Sequence, residues 1–197
     1  PYRTVMASSG TAALYAAAGI FSAKAGKPLR WAISAFGFAA TRTGPFAAMT
    51  VAVDCGTDGF LDLSALKQLP DEAWDGLLVT RVFGLERDLS AYVDFCNERR
   101  KPLIVDAALG FPGPRCVGPD VIEPNVIEPN VIEIVSFHHT KPWGFGEAGC
   151  LFVPAQDEAL ARSVLNFGDG LPAHVRPSIT NGKLSDLAAA AIIDRLE

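Results

Sequence analysis

Short apolar runs recur along this chain, at residues 29–34, 50–54, 76–80, 103–106, 131–136 and 149–153. They are of strand length and lack the regular polar alternation of a half-exposed strand. Helical patterns separate them, at 11–24, 38–46, 63–68, 89–100 and 156–166, and a last one spans 185–197. A strand that is apolar throughout needs cover on both faces, and intervening helices supply it. The expectation is an α/β chain, a three-layer α/β/α domain with a mainly parallel sheet. The first helix is rich in alanine and leucine and has Ser8 or Ser9 near its N-cap.

One segment breaks the pattern. Residues 121–133 read Val-Ile-Glu-Pro-Asn twice and then Val-Ile-Glu. Pro124 and Pro129 forbid a continuous helix or central strand there. A loop lengthened by duplication is expected, with only the last copy, from Val131, entering a strand. A solenoid needs longer and more numerous repeats.

Composition excludes several classes. With 197 residues, 49% of them hydrophobic, and a mean hydropathy of +0.23, the chain has enough apolar material for one substantial core. No uncharged apolar run reaches about 18 residues, so no membrane span is expected. A net charge of −5 with scattered basic residues gives no footprint for nucleic acid. Cys55, Cys96, Cys116 and Cys150 are far apart, so free thiols in a cytoplasmic protein are expected and no metal site. The opening Pro-Tyr-Arg-Thr-Val-Met-Ala lacks a signal-peptide layout and an initiator methionine, which reads as a chain starting inside a domain.

The chemistry is concentrated at residues 136–149, Ser-Phe-His-His-Thr-Lys-Pro-Trp-Gly-Phe-Gly-Glu-Ala-Gly. Lys141 follows an apolar run and precedes a glycine-rich turn. Partial dehydration of a lysine favours the neutral amine that attacks a carbonyl, as an enzyme holding pyridoxal phosphate (PLP) in a Schiff base requires. An ordinary snorkelling lysine is the alternative. Three further segments suit such a cofactor. Ser9-Gly10-Thr11 opens the first helix, where free amides receive phosphate, or where the serine is simply a cap. Asp106 ends an apolar strand, where a carboxylate pairs with a protonated ring nitrogen or caps the following turn. Ser136 stands at a strand end, five residues before Lys141, within reach of the same phosphate.

These motifs resemble the PLP-dependent sugar aminotransferases of the DegT/DnrJ/StrS type, which have the fold-type I aminotransferase architecture. The resemblance runs from Ser-Ser-Gly-Thr-Ala-Ala-Leu at 8–14 to Ser185-Asp186-Leu187. It passes through Phe36-Gly37-Phe38, Val82-Phe83-Gly84, Val105-Asp106-Ala107-Ala108, the Ser136-to-Lys141 segment and Gly146-Glu147-Ala148-Gly149. It implies that Lys141 forms the Schiff base and moves the proton, that Asp106 holds the pyridinium, and that Phe38 stacks on the ring. Gly10, Thr11, Ala12 and Ser136 would surround the phosphate. Asn181 would reach the phosphate of a partner subunit, so a homodimer with shared active sites is implied.

The residues also depart from that pattern. Leu109 stands where a glutamine or histidine usually bonds the cofactor ring oxygen, Ala148 replaces a glycine, and Lys183-Leu184 replaces an arginine-methionine pair. Related dehydratases have histidine in place of the lysine, so Lys141 favours amino transfer. By resemblance, residues 1–197 form a single PLP-binding large domain without the small C-terminal domain, truncated at both ends. The implied activity moves an amino group from an amino acid such as glutamate to a nucleotide-linked keto-sugar, for amino-sugar or cell-surface polysaccharide biosynthesis. The alternative is a catalytically silent PLP-fold domain acting as a binding or partner subunit. A PLP enzyme of another reaction type, such as a dehydratase or desulfurase, is less favoured.

Overall fold

The computed structural model describes residues 2–110, 130–142, 144 and 146–196. The central element is α1 (Gly10–Ala25). Ser9 starts it from an extended conformation, its Oγ accepting the Ala12 amide at 3.0 Å. Gly26 ends it in the left-handed region at φ +68°. Alanines and two glycines give α1 a slim profile, and it is buried on nearly every side. A Cβ on Gly19 would lie 2.8 Å from Ser178 Cβ and 3.0 Å from Val164 Cγ1, so the neighbouring segments close directly onto the helix.

The strands are β1 (Tyr2–Ala7), β2 (Trp31–Ser34), β3 (Thr50–Val53), β4 (Gly76–Thr80), β5 (Leu103–Asp106), β6 (Val131–Ser136) and β7 (Gly149–Pro154). They form one seven-stranded sheet in the order β1-β7-β6-β5-β4-β2-β3. Only β7 runs against its neighbours, pairing antiparallel with both β6 and β1. The remaining helices are α2 (Leu63–Leu66), α3 (Ser90–Glu98), α4 (Glu158–Leu165) and α5 (Asp186–Leu196).

Two cores flank the sheet, which makes the architecture three-layered. Ile33, Leu78, Ile104, Ile132, Ile134 and Leu151 face α1 and α4. Ala32, Leu77, Val79, Val105, Val135 and Cys150 face α2 and α3, meeting Leu66, Trp74, Tyr92 and Phe95. Each fully buried leucine or isoleucine contributes about 1.5–3 kcal/mol through removal from water. The period of two along each strand places Thr80, Asp106 and Ser136 on the α1 side, at the carboxyl ends of β4, β5 and β6.

The structure differs from the sequence reading in three places. The helix expected at 38–46 is two 3₁₀ turns, Ala39–Arg42 and Gly44–Phe46. Thr43 is extended between them, Gly44 has φ +55° and Pro45 follows, so a continuous α-helix is impossible. Residues 2–7 form the edge strand β1, in which exposed Arg3 and Thr4 interrupt the apolar residues. A 3₁₀ turn at Ala173–Ser178 packs on α1 without a helical pattern in its sequence. Residues 121–129 of the repeat lie outside the described residues, and its last copy opens β6. No helix among the described residues is long and apolar enough to cross a membrane. Cys55, Cys96 and Cys150 are free, and burial pushes the Cys96 and Cys150 thiols up to about 12. Cys116 lies outside the described residues.

Candidate active site

The strand ends meet the start of α1 on two glycines. Ser136 of β6 pairs with Gly149 of β7, and the helix begins directly above that rung. A Cβ on Gly149 would come within 2.6 Å of the Gly10 amide nitrogen and the Ser9 carbonyl. A Cβ on Gly10 would come within 2.6 Å of Ser136 Cβ. Both positions therefore have to be glycine for helix and sheet to touch. Helix geometry leaves the Gly10 and Thr11 amides without an acceptor inside α1, and the helix dipole adds partial positive charge. Ser9 Oγ already takes the Ala12 amide.

A cleft of about 570 Å³ opens at this point. Gly10, Thr11, Phe38, Asp106, Ser136 and Lys141 all line it. The other two residues implicated by sequence do not line it. Ala12 is buried in the first turn of α1, and exposed Asn181 forms a β-bridge with Asn166, next to Gly182, whose carbonyl accepts the Ser8 amide at 2.7 Å.

Asp106 is buried at the cleft floor, its Oδ1 accepting the Ala108 amide at 3.0 Å. Burial pushes its carboxyl above the ordinary range, against the opposing pull of the Ala108 amide and the Lys141 charge. Such a group favours a partner that brings an N–H⁺.

Lys141 sits on a turn held from both arms. Its amide donates to the His138 carbonyl at 2.8 Å, and the Gly144 amide donates to the Lys141 carbonyl at 2.9 Å. A Cβ on Gly144 would overlap the His138 carbonyl, so glycine is required for this tight return. His138 and Glu147 close the turn, Nε2 to Oε1 at 3.1 Å. Lys141 is half-buried, with Nζ 5.5 Å from the Phe38 ring centroid. Among the described residues Nζ makes no hydrogen bond or ion pair.

Phe38 is not a core residue. It is 66% exposed, standing just before the first 3₁₀ turn. Phe36 and Phe83 form a tilted pair nearby with centroids 6.1 Å apart, and Leu109 adds to this apolar side. A Cβ on Gly84 would come within 2.7 Å of the Leu109 carbonyl, and Gly84 has φ +73°. Ala148 is buried behind the turn, its carbonyl accepting the Phe137 amide at 2.8 Å.

Sequence reasoning missed Thr80, Arg81, His138 and Glu147 as lining residues. Thr80 was detectable in principle, since it ends β4 in register with Asp106 ending β5. Nothing local to the sequence announces Arg81.

A lysine turn, a buried carboxylate and a helix N-terminus at the carboxyl ends of parallel strands, within three α/β/α layers, define a fold-type I PLP-dependent transferase domain. The chain belongs to the DegT/DnrJ/EryC1/StrS aminotransferase family, which it matches over residues 3–197. Protein Rv3402c of Mycobacterium tuberculosis is 32% identical over 119 residues, which are 58% of this chain and 27% of that protein. The fold is shared with PseC of Helicobacter pylori, an aminotransferase involved in pseudoaminic acid biosynthesis (TM-score 0.76, 17% identity, 98% of this chain and 53% of that one). It is also shared with DesI, solved in the presence of its TDP-sugar product (TM-score 0.74, 24% identity, 98% of this chain and 48% of that one). The chain thus spans about half the length of these solved structures.

PLP is the cofactor of this family, and the residues present fit it. The glycine-cleared helix start suits its phosphate, buried Asp106 its ring nitrogen, and unengaged Lys141 its aldehyde.

Proposed function

We propose that this chain serves a PLP-dependent aminotransferase moving an amino group from an amino acid such as glutamate to a nucleotide-linked keto-sugar. The observation that carries the reading is the opening of Lys141 and Asp106 into one cleft beneath the start of α1. Bound PLP supplies an electron sink that makes a proton on the donor carbon labile. The residues of the chain hold it and move that proton. The Gly10 and Thr11 amides with the Ser136 hydroxyl bind the phosphate. Asp106 keeps the ring nitrogen protonated, since its own buried charge is relieved by doing so. Lys141 would hold the aldehyde through Nζ and would serve as the general base and acid that moves the proton. Phe38 would cover the ring, and Phe36 and Phe83, which line the same cleft, would limit access of water from the rim.

The nucleotide-sugar substrate is supported by the family and by DesI's TDP-sugar product. In this reading Asn181 serves a partner's cleft within a homodimer, which accords with its exposure and its absence from the lining of its own. A silent binding domain is the second reading, favoured by Leu109, which presents no hydrogen-bonding group to the cleft.

Purified protein with added PLP is expected to show a visible absorption band. Borohydride reduction should then fix the cofactor to the peptide containing Lys141. Turnover of glutamate with a keto-sugar nucleotide distinguishes the two readings. Label on another lysine, or full transaminase activity in Lys141→Ala, would refute the first.

A further inference from the structure

The turn that carries Lys141 also gathers a set of groups that amino transfer does not use together. His138, His139 and Glu147 each offer one ligand atom, and these atoms lie within 4.8 Å of one another. The backbone produces this convergence. His138 forms a β-bridge with Gly146, and the His139 amide donates to the Gly146 carbonyl at 2.9 Å. Residue 146 is therefore held opposite residue 138, which brings neighbouring Glu147 alongside the two histidines, and the two imidazoles have centroids 4.1 Å apart.

The local geometry resembles a half-assembled tetrahedral site. His138 Nε2 lies 3.1 Å from Glu147 Oε1. Two ligands on one tetrahedral ion with bonds of about 2.0 Å stand about 3.3 Å apart. His138 Nδ1 is engaged by Thr140 Oγ1 at 2.7 Å, the kind of outer contact that orients a metal-binding imidazole. His139 and Glu147 are exposed, so modest side-chain rotation closes the remaining edges without disturbing the core.

We propose that His138, His139 and Glu147 form a binding site for a first-row divalent ion, zinc above all, at the rim of the Lys141 cleft. Two imidazoles and one carboxylate suit zinc, whereas magnesium and calcium prefer oxygen ligands throughout. His139 is decisive, because His138 and Glu147 alone make an ordinary pair. An ion bound there ties together both arms of the turn that presents Lys141.

The test uses untagged, chelator-treated protein without cofactor or substrate, so its outcome is independent of the amino-transfer reading. Calorimetric titration with Zn²⁺ is expected to give one ion per chain with a Kd at or below about 10 μM. Co²⁺ should give a visible absorption band typical of a nitrogen and oxygen site. His139→Ala and Glu147→Gln should each weaken Zn²⁺ binding by at least about tenfold in variants that remain folded by circular dichroism. Zn²⁺ should also protect His139 of the unmutated protein from diethylpyrocarbonate, which answers the question even if a variant fails to fold. The absence of saturable binding below about 100 μM would overturn the proposal. Undiminished binding in both variants, or modification of His139 unaffected by Zn²⁺, would overturn it as well.

Discussion

Lys101 and Lys141 both lie against aromatic rings, one on the α2–α3 side of the sheet and one at the cleft on the α1 side. Lys101 Nζ is 3.7 Å from the Trp74 ring centroid and donates to the carbonyls of Asp71 (2.6 Å) and Trp74 (2.9 Å). Burial lowers its pKa, and the Arg99 charge acts in the same direction, against the Asp71 and Asp75 carboxylates. Lys141 Nζ stands 5.5 Å from Phe38 and has no such hydrogen bonds among the described residues. The comparison separates two properties that are easily confused. A depressed pKa makes an amine easier to deprotonate, but Lys101 is fully employed in joining two loops. Lys141 has a hydrogen-bonded backbone and, among the described residues, an uncommitted amine, which is what attack on a carbonyl requires.

The same contrast extends to the layers. The α2–α3 side is an aromatic packing surface, with Trp74 and Phe95 stacked at 5.9 Å and Arg99 3.8 Å from the Phe95 ring centroid. The α1 side also packs aromatic rings, Phe21, Trp31 and Phe46 among them, but where α1 begins it presents glycine, alanine and short polar groups, so the first backbone amides come within reach of a ligand.

If the division of labour is right, Lys141→Ala should remove the cofactor band and reduce transamination by roughly a thousandfold or more, with little change in melting temperature. Gly10→Ala should damage both fold and site. The overlap with Ser136 should cost about 1–3 kcal/mol in denaturant unfolding and weaken cofactor binding at the same time. Lys101→Ala should do the reverse of Lys141→Ala, losing about 1–2 kcal/mol of stability through the ring and carbonyl contacts while keeping the cofactor band.

Asp106 provides a pH test of the same distinction. Burial raises its folded-state pKa above the ordinary 3.8. The neutral carboxyl therefore favours the fold below the unfolded pKa, and that contribution is lost as pH rises through the folded one. Asp106→Asn keeps an oxygen for the Ala108 amide and removes the buried charge. The cofactor-free variant should match the parent in acid and exceed it at neutral pH by on the order of 1 kcal/mol, while losing activity. Equal stability across that range would show that the carboxylate is already compensated. The smallest effect is expected from Leu109→Gln. It adds a polar group to the cleft, worth about 1 kcal/mol in cofactor affinity and a shift of the visible band.

Much of this was legible before the structure. The strands at 76–80, 103–106 and 131–136 were readable because unbroken apolar runs are the local imprint of a sheet covered on both faces. The edge strand β1 was not, because exposed Arg3 and Thr4 interrupt its apolar residues. Residues 38–46 misled because their apolar content has helical spacing, while Gly44, Pro45 and extended Thr43 break the backbone. At the site, Lys141, Asp106 and Ser136 were visible from their positions at strand ends. Glu147 and His138 were not, since their meeting depends on the return path of a turn.

The sequence by itself determined the layering and the order of the elements, because hydrophobic period and backbone breakers are local properties. It also supplied the reactive groups and placed them at the ends of strands. Tertiary structure alone decided which of those groups meet. The start of α1 descends onto the Ser136–Gly149 rung only because two glycines leave room. Asp106 acquires its raised pKa only from the layers packed around it. Lys141 differs from Lys101 only in what surrounds each amine, and surroundings are assembled from residues distant along the chain.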